Sequence, residues 1–302
     1  MSAKAPKIFC AGIAVLDEVF RVRSVPEPDH KTDASEYIVV GGGCAPNAAV
    51  AIARLGGKVG FTGPLGDDDT AERVLAHLAR EGIDTSGCVK FPGCRTSVSA
   101  ILIDATGART IATYTDQKLL EVASRDADRL VADADGVLLD NRRPKFVGPI
   151  CEAAVKRKLP IVLDVDKETD LDDPLLTNAT HAIFSGESLR ASTKCDGLVQ
   201  GFDMVRQKLK NFVAVTDGHN GGLWCDGGEV HAYSAFKIDV VDTLGAGDTF
   251  HGAFALALVE GKPIEETFRF ASATAALKCA RFGGITSAPT RDEVEKFLME
   301  RA

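Results

Sequence analysis

The run Asp242-Thr243-Leu244-Gly245-Ala246-Gly247-Asp248-Thr249-Phe250 leads straight into a stretch of small and apolar residues, Gly252-Ala253-Phe254-Ala255-Leu256-Ala257-Leu258. Glycines ahead of a helix leave backbone N–H groups bare, and such groups can cradle an anion. A carboxylate in the same turn has an ordinary use, capping orphan N–H groups and complementing the helix dipole. It has a second use if the anion is a phosphate. Asp248 would repel that group unless it acted as a general base, taking a proton from an acceptor hydroxyl while the amides of Ala246, Gly247 and Asp248 hold the phosphoryl group in transit. Other nucleotide signatures are missing from the chain. No G-x-x-x-x-G-K-[ST] string occurs, and "AGIAVLDE" after the first apolar run supplies no G-x-G-x-x-G. A second glycine cluster, Gly41-Gly42-Gly43, lies far upstream and is followed by Asn47.

The elements that must position these residues follow from periodicity. "KIFCAGIAV" (7–15) is a short apolar run that predicts a buried first strand, and "KVGFTG", "GVLLD", "PIVLDVD", "HAIFS" and "FVAVTDG" predict further strands with helical stretches between several of them. Long small-residue helices are expected at 247–260 and 264–281, and an amphipathic one near 291–301. Regular β-α alternation points to an α/β fold with a parallel sheet wrapped by helices. Alternating patterns at about 15–40 and 92–115 interrupt it as two hairpin-like insertions, which could pack together as a small β-lid on a single domain spanning 1–302. Asp67, Asp68 and Asp69 read as N-terminal helix charges rather than metal ligands.

Composition narrows the function. The 302 residues are 45% hydrophobic and 26% charged, with a formal net charge of −8 that argues against a nucleic-acid or anionic-membrane surface. The eight cysteines are scattered, without C-x-x-C pairs or zinc-finger spacing, as expected of a reducing compartment. The N-terminal apolar run is too short to span a bilayer and ends at Asp17-Glu18. A cytoplasmic enzyme is the expectation.

Residues 41–66, "GGGCAPNAAVAIARLGGKVGFTGPLG", and 242–250, "DTLGAGDTF", resemble the two signature segments of the ribokinase-like carbohydrate kinases, the phosphofructokinase-B family. The resemblance covers essentially the whole chain. It implies a doubly wound α/β sheet flanked by helices, a small β-lid over the sugar, and phosphoryl transfer from Mg-ATP to a sugar hydroxyl. Asp248 then matches the catalytic base, and Gly245, Ala246 and Gly247 match the anion hole. Asp17, Gly42, Gly43 and Asn47 match sugar-binding positions. Thr216, Gly218 and Gly221 resemble the segment lining the nucleotide, and 272–284, containing Ala276 and Gly284, resembles the helix and loop beside the adenine. Many members bind a monovalent cation such as K+ near the loops matching 242–244 and 280–286, and many dimerise through the lid.

One departure concerns magnesium. Where many members carry N-x-x-E, this chain reads Ser185-Gly186-Glu187-Ser188, so Glu187 is the candidate substitute, offset by one position. The acceptor sugar stays open. "FKIDVVDTLGAGDTFHGAFALAL", "RFASATAALKCARFGG" and "GGGCAPNAAVAIARLG" resemble the bacterial sulfofructose kinase branch more than ribokinase itself. In that branch Lys31 and Arg142 match residues that hold the sulfonate, and Thr113 stands where an asparagine is used. A ketose is expected, either neutral like fructose or anionic like sulfofructose or a sugar phosphate. The alternatives are a nucleoside kinase, for which no aromatic base platform is evident, and a non-catalytic sugar-binding regulator, which would not need an intact base and anion hole.

Overall fold

The computed structural model describes residues 5–301. Its main sheet has the order β14-β13-β12-β11-β10-β9-β1-β4. These strands are β1 (Lys7–Ala11), β4 (Lys58–Thr62), β9 (Gly136–Asp140), β10 (Ile161–Val165), β11 (His181–Ser185), β12 (Phe212–Thr216), β13 (Gly222–Cys225) and β14 (Val230–Tyr233). The first six are parallel and the last two form an antiparallel edge. The parallel strands are apolar at nearly every position because both faces are covered. Ile8, Cys10, Leu138, Val162 and Ile183 enter one core, and Phe9, Ala11, Leu139, Leu163 and Phe184 enter the other.

The first core is closed by α1 (Cys44–Arg54), α2 (Asp69–Arg80), α8 (Ala246–Val259), α9 (Ile264–Cys279) and α10 (Arg291–Met299). The short α3 (Ala127–Leu130), with α4 (Pro144–Lys156), α5 (Pro174–Asn178), α6 (Gly186–Thr193) and α7 (Leu198–Lys208), closes the second. Asp68 caps α2, accepting from Ala71 N at 2.9 Å, so the Asp67–Asp69 run does begin a helix.

A second sheet, β3-β2-β7-β8, is built from β2 (Val15–Val22), β3 (Ala34–Gly42), β7 (Ser97–Ile103) and β8 (Arg109–Tyr114). The two hairpins join through parallel pairing of β2 with β7. A two-stranded pair, β5 (Pro64–Gly66) with β6 (Val89–Phe91), lies outside both sheets. From β1 the chain steps outward to β4 and then returns to the other side as β9. The β1/β9 boundary is therefore the topological switch point, where open α/β sheets hold their ligands at the carboxyl ends of the strands.

Candidate active site

Helices α1 and α8 meet closely because their contact faces are small. A Cβ on Gly252 would lie 2.5 Å from the carbonyl oxygen of Ala48. That approach brings the first turns of the two helices together, and Asn47 Nδ2 donates to Asp248 Oδ2 at 2.7 Å. Gly245, at φ 74°, takes a left-handed conformation that turns the chain into α8. Its carbonyl accepts from Thr249 N and Thr249 Oγ1 at 2.9 and 2.7 Å, which fixes the turn. A Cβ on Gly247 would meet no atom within 4 Å, so the N-terminus of α8 opens onto free space. Burial pushes the Asp248 carboxyl up to about 7, Asn47 works against that shift, and the Asp166 charge adds to it. Ala246 N, expected to be bare, donates to the carbonyl oxygen of Thr243 at 3.3 Å and closes the turn, so the amides of Gly247 and Asp248 are the ones set beside a carboxylate able to accept a proton near neutrality.

Asp17 lies in a row across the small sheet, paired with Ser99 on β7, which is paired in turn with Thr113 on β8. The two hydroxyls are 3.0 Å apart, and burial raises the Asp17 carboxyl to about 6 against a hydrogen bond from Ser99. Gly42 is demanded by this neighbour, since a Cβ there would fall 1.9 Å from Asp17 Oδ2. Gly43, at φ 106°, immediately precedes α1, so the chain runs from Asp17's neighbour to Asn47 in a few residues. Asn47 Oδ1 is buried without a partner among the described residues, an acceptor suited to a hydroxyl donor.

Carboxylates crowd the switch point. Asp140, at the end of β9, accepts from the backbone of Ile13, Ala45 and Arg142 at 2.9, 3.2 and 3.0 Å, tying β1, α1 and β9 together. Asp164 and Asp166 follow on β10 and just beyond it. Cys44, Asp164 and Asp248 offer ligand atoms within 4.8 Å of one another. Burial and the charges of Asp166, Asp248 and Asp140 hold the Asp164 carboxyl well above its usual range. Arg142 is engaged with Asp166: its Nε donates to Asp166 Oδ2 at 2.7 Å, and its Nη2 donates to the same oxygen. Lys31 is exposed in the loop between β2 and β3, and no ion pair involves it among the described residues.

The nucleotide-side candidates sit further along the same sheet edge. Thr216 ends β12 opposite Ser185, the last residue of β11, so Glu187 in the first turn of α6 is exposed beside it. Gly218 and Gly221 have φ values of 55° and 84° in the turn to β13. Ala276 is buried in α9. Gly284 N and Gly283 N both donate to Asp242 Oδ2, at 2.8 and 3.1 Å. Asp242 Oδ1 accepts from Leu244 N at 2.7 Å, so one carboxylate ties the loop after α9 to the turn before α8.

Several neighbours escaped the reading of the sequence. Asp164 and Asp166 were legible as a D-x-D at a strand's carboxyl end, the place where such sheets hold ligands. Arg109 donates from Nη1 to Thr243 Oγ1 at 3.0 Å, and its charge acts on Asp248. Its sequence position, in an exposed alternating strand, gave no such signal. His251 is one turn beyond Asp248, and burial lowers its imidazole to about 4, which keeps it neutral. Its Nδ1 is 3.4 Å from Asp164 Oδ2 without hydrogen-bonding geometry.

A buried carboxylate beside open helix N-terminal amides, at the switch point of a doubly wound sheet and next to a smaller sheet, is an arrangement able to pass a phosphoryl group to an alcohol. Comparison with known proteins narrows the class. Residues 5–291 match the pfkB family carbohydrate kinase model, and the chain belongs to that family. It is 29% identical to a ribokinase of Bacillus subtilis over 95% of this chain and 97% of the relative. It is 28% identical to fructokinase-1 of Oryza sativa subsp. japonica over the full length of both. Among solved structures, a protein provisionally assigned as a ribokinase from Agrobacterium tumefaciens superposes with a TM-score of 0.94 at 35% identity, covering 99% of each chain. Ribokinase of Arabidopsis thaliana complexed with ribose and ATP gives 0.84 at 27% identity, covering 98% of this chain and 99% of that one. The chain is an ATP-dependent sugar kinase.

Proposed function

We propose that this kinase phosphorylates an uncharged sugar, a ketose or a ribose-like pentose, with Asp248 as the base. The observation that carries the reading is the pairing of Asn47 with Asp248 at the open N-terminus of α8. The sugar is held by Asp17, by the backbone at Gly42 and Gly43, and by Asn47. Asp248 takes the proton of the attacking hydroxyl as its oxygen closes on the γ-phosphorus. The amides of Gly247 and Asp248 receive the phosphoryl charge, and Arg109 supplies a nearby cation. Thr216, Gly218, Gly221, Ala276 and Gly284 line the ATP side. Magnesium fits the residues present, because it keeps its waters and needs few protein ligands. Glu187, an exposed carboxylate in the first turn of α6, is the residue that would hold it, and the ion would screen the phosphate charges. The Cys44–Asp164–Asp248 group is a poor magnesium site because a thiol is a soft donor.

Arg142 favours an uncharged acceptor. Its guanidinium already has Asp166 as its partner, and the charge of Asp140 acts on it as well. A sulfonate or phosphate would have to displace a carboxylate inside an acidic pocket. The inner row Asp17–Ser99–Thr113 offers hydroxyls and a carboxylate but no aromatic platform for a nucleobase. The outward face of the small sheet carries Phe20 and Tyr37 with ring centroids 4.8 Å apart, and Tyr37 and Tyr114 are each 53% exposed, which suits a second copy of this chain. ADP release should be followed with fructose, ribose, sulfofructose, fructose phosphates and adenosine. Higher kcat/KM for a neutral sugar than for its anionic counterpart supports the reading. Preference for the anion, lost on Arg142→Ala, would overturn it.

A further inference from the structure

Lys278, near the C-terminal end of α9, has a fully buried side chain whose ammonium has two partners. Nζ donates to the carbonyl oxygen of Asp242 at 2.9 Å and lies 3.2 Å from Asp242 Oδ2. Asp242 is itself fully buried. A buried ion pair is poor value as stability alone, since removing two charges from water costs about as much as their attraction returns. The place of this pair gives it another use. Asp242 opens the turn that ends in the anion hole, and its carboxylate also holds Leu244, Gly283 and Gly284 by their amides. The backbone of Val241 and Asp242 is bonded in turn to the carbonyl of Cys279, beside Lys278.

A monovalent cation bound at 242–244 and 280–286, as the family resemblance implies, would draw on the oxygens of Asp242, the one carboxylate residue in those two segments. They do not fit one. The Asp242 carbonyl and Oδ2 already face a positive charge delivered from α9, and both carboxylate oxygens also accept from amides. Arg109, anchored on Thr243, adds a further positive charge whose field reaches Lys278. A free cation would be repelled by two neighbours and would find its ligands engaged.

We propose that the Lys278 ammonium is a tethered replacement for that cation, holding the 242–244 turn in the geometry the anion hole requires, so that this kinase works without added potassium. The inference rests on the kinase reading of the 245–248 turn and not on the identity of the sugar. Lys278 touches neither substrate and is a positioning residue.

The test compares potassium, sodium, ammonium and choline chlorides at equal ionic strength. In each salt, turnover with the best sugar of the panel, affinity for a non-hydrolysable ATP analogue and the thermal midpoint would be measured. The wild type should vary less than about twofold across the salts in all three. Lys278→Ala should lose turnover at least tenfold in choline and recover a large part of it in potassium or ammonium, because the shortened side chain opens the Asp242 oxygens to a mobile cation. Wild-type turnover or nucleotide affinity raised more than fivefold by potassium would overturn the proposal. So would Lys278→Ala turnover that stays low in every salt, which is a purely structural effect, or that matches the wild type in choline. The wild-type series decides the matter even if the variant does not fold. Nucleotide affinity and thermal midpoint remain readable if the sugar assignment fails, which separates the two claims.

Discussion

Asp248, the proposed base, can act only when ionised, and burial pushes its carboxyl up to about 7. Activity should therefore fall as pH drops through that region, with kcat/KM losing about tenfold per pH unit once well below it. A flat kcat/KM between pH 8 and 5.5 would contradict the assignment. Asp17, raised to about 6, should add a rise in sugar KM at the acid end of the same profile. The raised value carries a stability sign as well. A carboxyl whose folded pKa exceeds its unfolded one costs stability as pH climbs through the folded value. Asp248→Asn should consequently melt at a higher temperature than the wild type at pH 8, with the difference shrinking towards pH 5, as differential scanning calorimetry would show. At this scale the sequence was most informative where residue type is forced by chemistry. Asp248 in its glycine turn and Asn47 beyond a glycine cluster stood out by residue type, and the structure brings their side chains into a hydrogen bond. Asp166 as Arg142's partner could not, because that pairing needs the spatial adjacency of two strand ends.

At the scale of elements, the contact between α1 and α8 is what sets Asn47 against Asp248, the proposed base. Gly252→Val would force the helices apart at Ala48, destabilising the fold by ~1–3 kcal/mol through overpacking. It should also lower kcat by separating Asn47 from Asp248. Urea titration and steady-state kinetics on the same sample would check both, and unchanged kcat would show that the close approach is not needed. Gly43→Ala faces both a φ of 106° and an Ile13 carbonyl 2.2 Å from the added Cβ. Strain of roughly 1–3 kcal/mol from the backbone conformation alone should lower its urea midpoint. The parallel strands and the long helices were legible because burial on both faces writes continuous apolar runs, and small residues mark tight helix contacts. The antiparallel edge β13–β14 and the β5–β6 pair were not singled out, since runs of three or four residues carry almost no periodicity.

Over the whole molecule, the two hairpins pair through β2 and β7 into one sheet, a joining that sequence periodicity cannot specify because the partners are some 80 residues apart. That sheet's outward aromatic face should seat a second copy, so light scattering at micromolar concentration should give a mass near twice that of the chain. Tyr37→Glu should shift it towards the monomer, and a monomeric wild type would remove the lid-mediated dimer from the account. No helix among the described residues is long and apolar enough to cross a membrane.

The central claim is that the α8 turn transfers phosphate with Asp248 as proton acceptor. Its most direct test is single-turnover phosphorylation of the preferred sugar by Asp248→Asn, with sugar and nucleotide affinities measured by calorimetry on the same preparation. Phosphoryl transfer should be slowed by ~10²–10⁴ with both affinities within a few-fold of wild type. Transfer at near wild-type rate with intact binding would contradict it.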